Sequence, residues 1–156
     1  MNFGIAQLLL VILALLLVAA AVIDVRTYTI SNRLNVAIAL LAPAFWWSVG
    51  LELWPGVAVQ IALSVGVLAI FSCLFFIGMM GGGDVKLAAA LALWLPPEAM
   101  LHFVVLMSLA GGVLTLVYVL SHRLASKPGR PKIPYGVAIA IGALAILAQR
   151  FLNQFA

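Results

Sequence analysis

Met79-Met80-Gly81-Gly82-Gly83-Asp84-Val85-Lys86 interrupts a chain that is otherwise almost entirely lipid-soluble. Three consecutive glycines end the apolar run before them, and an ionisable residue follows at once. Such a residue inside a membrane segment is costly and marks a functional site by default. Towards the N-terminus the same chemistry occurs once more, at the end of the first apolar run. Asp24 and Asp84 are the only aspartates among the 156 residues. Towards the C-terminus, the short apolar segment after Asp84 is stopped by Pro96-Pro97, since proline ends a helix and restricts the residue before it.

The chain is 67% hydrophobic and 8% charged, with a mean hydropathy of +1.29. A soluble domain of this size must wet its exterior with polar groups, so the composition points to a polytopic membrane protein. One integral domain, residues 1–156, accounts for the whole length. The net charge of +4 comes from basic residues in short loops between apolar runs. That pattern is membrane topology, not nucleic-acid binding. The single cysteine, Cys73, excludes an internal disulfide and a Cys-x-x-Cys zinc module, and neither metal nor cofactor is expected. The run Phe3 to Ile23 lacks a basic leader and is too long and uniform for a typical signal h-region, so it reads as a retained helix.

A spanning helix needs about 20 mostly apolar residues, and runs of that order lie at about 3–23, 34–50, 56–79, 98–121 and 134–152. A sixth, about 85–95, covers only roughly 16 Å of a hydrocarbon core of about 30 Å. Charge placement decides whether it crosses. With six crossings, Arg26, Arg33, Lys86, Arg123, Lys127, Arg130 and Lys132 share one face, and the other receives Arg150, Glu52 and Glu98. The positive-inside rule then puts both termini outside and both aspartates on the cytoplasmic side. Trp46, Trp47, Trp54 and Trp94 fall near outer helix ends, where an interfacial belt is expected. The expected fold is therefore all-α, a bundle of six transmembrane helices with the fourth short and preceded by a glycine-rich break. Gly81-Gly82-Gly83 would be irregular backbone within the membrane, tolerated where it is buried in protein or lines a wet cleft.

Two carboxylates that share a proton form a hydrolytic pair: one takes a proton from water while the other donates to the developing oxyanion. Asp24 and Asp84 are the candidate catalytic residues. Gly81, Gly82 and Gly83, which let backbone approach a substrate strand closely, and Lys86 are candidates for substrate binding. The dipoles of the adjoining helices assign Asp84 the ionised part and Asp24 the protonated one, with Arg26 acting against that split. His102 and His122 lie towards opposite ends of the fifth helix and cannot hold one metal. No His-Glu-x-x-His motif is present in the sequence.

Gly81-Gly82-Gly83-Asp84-Val85-Lys86-Leu87 resembles the Gly-x-Gly-Asp signature of membrane aspartic proteases, in the form used by type IV prepilin peptidases. Ile23-Asp24 through Ile30-Ser31-Asn32-Arg33-Leu34 resembles that family's other catalytic segment, with Ser31 where proline is usual. Ile133-Pro134-Tyr135-Gly136 resembles its proline-aromatic-glycine opening of the last helix. The resemblance implies an endopeptidase of the bacterial inner membrane that removes the basic leader of prepilins or pseudopilins at the cytoplasmic face, cutting after glycine and before a hydrophobic helix. It is similar to the short, peptidase-only form associated with Flp-type pili, without a methyltransferase or zinc region. The implied partners are the prepilin and membrane lipids. A proton- or ion-coupled carrier using the same two aspartates is the alternative, as is a non-catalytic pilus-assembly subunit. The carrier would be expected to show interrupted helices in both halves, and only one interruption, around residues 80–84, is present. The assembly subunit would not need two aspartates at one face.

Overall fold

A computed structural model describes residues 3–125 and 132–152. Part of the basic linker expected at 122–133, with Lys127 and Arg130, lies outside the described residues. Six α-helices follow one another: α1 Phe3–Thr27, α2 Asn32–Val49, α3 Ala58–Phe76, α4 Gly82–Ala92, α5 Pro97–Leu124 and α6 Tyr135–Leu152. No strand occurs among the described residues. The segments Gly4–Thr27, Leu53–Phe76, Pro97–Leu124 and Tyr135–Leu152 are long and apolar enough to cross a membrane. The chain is thus an all-helical, multi-pass membrane bundle.

Local sequence explains the helix ends. Ser31 caps α2, its hydroxyl accepting from the Leu34 N–H at 3.3 Å. Gly50 closes α2 in the left-handed conformation, with φ of 70°. A wider turn at Leu53–Val57 leads into α3. Pro97 opens α5, where its missing N–H would be unsatisfied anyway.

Two helices differ from the sequence expectation in a way that matters for the site. α1 runs to Thr27, so Asp24 lies inside its last turn and not at its end. The break before α4 covers residues 77–81; Gly82 and Gly83 already belong to the helix. The irregular stretch expected at Gly81–Gly83 is therefore displaced towards α3. Gly78 makes the reversal at φ of 76°, and Gly81 is the extended residue before the first helical turn. Asp84 consequently sits in the first turn of α4, beyond the cap position.

α4 is the centre of the bundle, packed against α2, α3 and α6, and α6 in turn packs on α1 and α5. Leu87, Ala88, Leu91 and Ala92 of α4 are completely buried. Its neighbours hold it by polar contacts that need no water. Ser64 donates to the Ala89 carbonyl at 2.7 Å. Trp46 of α2 donates to the Leu93 carbonyl at 2.7 Å, and Trp94 returns the contact to the Ile38 carbonyl at 3.0 Å. Phe45 stacks on Trp94 with ring centroids 5.1 Å apart. The tryptophan belt expected at the outer ends is therefore only half realised. Trp47 and Trp54 face outwards, but Trp46 and Trp94 are core residues whose indole N–H groups cross-brace α2 and α4. Replacing Trp94 by Phe keeps the stack and removes the indole N–H bond. It should lower stability in detergent by about 2 kcal/mol, read as a fall in melting temperature.

Candidate active site

α2 and α4 run in parallel, because Asn35 meets Gly83 near one end and Trp46 meets Leu93 near the other. The N-terminus of α6 meets Asp24 in the last turn of α1. The same end of the bundle thus gathers the end of α1 and the starts of α2, α4 and α6. Gly83 lies level with Asn35, so α4 begins about two residues, roughly 3 Å, inside the start of α2.

Asp24, Tyr28, Thr29, Ile30, Gly81, Gly82, Gly83 and Asp84 line one cleft of about 230 Å³ at that end. The two aspartates, expected from sequence to share a membrane face, are brought to one cavity. Both are buried: Asp24 is 3% exposed and Asp84 9%. Each of the three glycines of the motif lines the same cleft, as expected for close backbone approach. Lys86 does not. Its ammonium points to the side of α4 and donates to Asn32 Oδ1 at 2.9 Å, in a separate groove between α2 and α3.

The glycines differ in what forbids a side chain. At Gly83 a Cβ would come within 2.9 Å of the Ile30 carbonyl oxygen and 3.2 Å of its nitrogen, backbone atoms that cannot swing away. At Gly81 it would meet Asp84 Oδ2 at 2.7 Å. Gly136, at the start of α6, shows the same crowding: a Cβ there would lie 2.7 Å from Ile30 Cδ1 and 2.8 Å from Asp24 Oδ2. Its bare backbone lets the Gly136 N–H donate to Asp24 Oδ2 at 2.7 Å. Asp24 therefore sits between the C-terminal end of α1 and the N-terminal end of α6, whose dipoles oppose there. The division of ionised and protonated parts expected from the dipoles of α1 and α4 did not include this contribution of α6.

Ile30, Asn35 and Gly136 were not singled out as site residues from the sequence. Gly136 had a signal in the proline-aromatic-glycine opening of α6. Ile30 lay within the segment that resembles the family's other catalytic stretch, and Asn35 had no signal, since its importance lies in its contact with α4. No group of three or more His, Cys, Asp or Glu side chains suited to a metal ion occurs among the described residues.

A membrane-embedded helical bundle with two buried carboxylates facing one cleft defines the class of protein. The chain belongs to the type IV leader peptidase family, whose model matches residues 11–116 and so includes both aspartates. Among curated proteins, the "prepilin leader peptidase/N-methyltransferase" of Burkholderia pseudomallei strains 1026b and K96243 is 29% identical in each case over 141 residues. The match covers 84% of this chain and 43% of the relative, so the chain spans less than half the length of the curated relatives it matches. No solved structure matches the chain significantly.

The crowding gives a test that needs no substrate. Gly83→Ala must push back the Ile30 backbone and should destabilise the protein by about 1–3 kcal/mol. Gly112→Ala, where a Cβ meets nothing within 4 Å, should stabilise α5 by up to about 1 kcal/mol through helix propensity. Thermal melting of the two variants should shift in opposite directions.

Proposed function

We propose that this chain is a membrane-embedded aspartic endopeptidase that removes the basic leader of type IV prepilins, of the Flp type, at the cytoplasmic face of the bacterial inner membrane. The observation that carries this reading is the meeting of Asp24 and Asp84, from helices remote in sequence, in one cleft walled by bare glycine backbone. Membership of the leader peptidase family supports the same reaction.

In this mechanism one carboxylate of the pair takes a proton from a water molecule whose oxygen attacks the scissile carbonyl carbon. The other carboxyl group donates its proton to the carbonyl oxygen, giving a neutral tetrahedral diol. Collapse of the diol breaks the C–N bond as a proton passes to the leaving nitrogen, and the pair returns to its singly protonated state. Thr29, Gly81 and Gly82 line the cleft beside the two acids, and in this reading an extended substrate strand lies along them, clear of the closed Gly83–Ile30 contact. Low surrounding dielectric strengthens the coupling between the two acids, so that they titrate as a unit.

Charge placement supports the cytoplasmic assignment of the cleft. Arg26, Arg33, Lys86, Arg123 and Lys132 belong to the aspartate end, whereas Glu52, Glu98 and Arg150 belong to the other, given the alternating direction of the six helices. A fusion of a cytoplasm-active reporter to the 122–133 loop should be active, and one to the loop near Glu52 inactive. The reverse pattern would invert the topology.

Cleavage is tested by co-expressing an Flp-type prepilin with wild type, Asp24→Asn or Asp84→Asn, followed by gel shift and N-terminal sequencing. Wild type should cut once, after glycine. Each substitution should reduce the rate by roughly 10²–10⁴-fold without loss of membrane insertion, the usual range for an acid–base group. Equal cutting by the variants would place catalysis elsewhere.

A further inference from the structure

Asn35 is a buried amide in the first turn of α2, 5% exposed, at the aspartate end of the bundle. Its Nδ2 donates to the carbonyl oxygen of Gly83 at 3.0 Å. Its Oδ1 is buried without any hydrogen-bond partner among the described residues. Such a side chain is poorly suited to holding two helices together for stability. A buried acceptor left unsatisfied loses more than one amide bond returns net, and a leucine of similar volume would avoid the loss altogether.

What the amide does hold is specific. Gly83 immediately precedes Asp84, and its Cα faces the backbone of Ile30 so closely that a methyl group would clash. Ile30 in turn reaches Gly136, the residue that donates to Asp24. A single chain of contacts therefore runs from Asn35 through Gly83 and Ile30 to Gly136, with Asp84 attached at Gly83 and Asp24 at Gly136. Gly82 and Gly83 offer no side chain to key the first turn of α4 against α2, so its register there rests on backbone packing and directed bonds. Among the described residues, the bond from Asn35 is the one directed contact on that turn from α2, apart from the exposed Lys86–Asn32 pair.

The geometry points to Asn35 as a positioning residue: it pins the Gly83 carbonyl so that Asp84 stays turned towards Asp24. This rests on the peptidase reading above for its catalytic consequence, though not for the geometry itself. The cost of the orphaned Oδ1 is then a stability sacrificed to alignment, and the two properties should move apart on substitution.

Asn35→Leu, and Asn35→Ala as a second variant in case leucine does not fit, are compared with wild type in three measurements. Melting temperature in detergent should stay level or rise for Asn35→Leu. Prepilin cleavage should lose about tenfold in kcat, the equivalent of one directed bond, with KM changed less than about twofold. In a Cys73→Ser background carrying Asp24→Cys and Asp84→Cys, a short thiol-specific cross-linker should join the two positions about tenfold more slowly when Asn35 is replaced, by the same equivalence.

A lower melting temperature with wild-type kcat would make Asn35 an ordinary structural residue and overturn the proposal, as would wild-type kcat with an unchanged cross-linking rate. Should the wild-type chain cleave no prepilin, the peptidase reading falls. The cross-linking and melting comparison then still decides whether Asn35 positions the pair.

Discussion

The close approach of Gly83 to the backbone of Ile30 is the contact on which the rest of the site depends. It brings the turn between α1 and α2 against the first turn of α4, and no residue larger than glycine fits the gap. Once Ile30 is seated there, its side chain is aimed at the start of α6, where Gly136 again leaves the space free. Three helix ends converge on one isoleucine, and the aspartates come to face the same cavity because each belongs to one of those ends.

Ending a helix inside the bundle leaves its last carbonyls without intrahelical partners, and lipid offers no hydrogen bonds. The bundle solves this by surrounding α4 with protein. α2, α3 and α6 cover it; Ser64 and Trp46 donate to the Ala89 and Leu93 carbonyls at its C-terminal end, Asn35 to the Gly83 carbonyl at its start, and Trp94 donates in return to the Ile38 carbonyl of α2. The short length of α4 is thereby matched to its central place. A longer helix would carry Asp84 out to the surface, where water would weaken the coupling between the two acids.

Helix positions were legible in the sequence because they follow from local chemistry. Apolar runs of membrane length, the double proline after residue 95 and the glycine run all act on their own neighbourhood, and each boundary fell within a few residues of its expected place. The rarity of acids in so apolar a chain was also local information, and it singled out Asp24 and Asp84 as the residues most in need of a functional reason. Gly81, Gly82 and Gly83 were read from the same stretch and line the same cleft. Lys86 belonged to the motif by sequence but not to the cavity, because one residue of helix is about 100° of rotation, and two carry a side chain from the cleft to the opposite flank.

Only the packed structure decided which residues are inside. In a soluble protein, polar faces betray the exterior, but here lipid and core are both apolar, and a helix such as α3 or α5 is hydrophobic on every side. Nothing local distinguishes the buried Trp46 and Trp94 from the outward Trp47 and Trp54. Nothing local links Asn35 to Gly83, or Gly136 to Asp24, since each pair is joined by the way distant helices settle against one another. Composition and punctuation in the chain decide that helices form and where they stop. The close contacts permitted by missing side chains decide which of them meet, and so which two acids share a cleft.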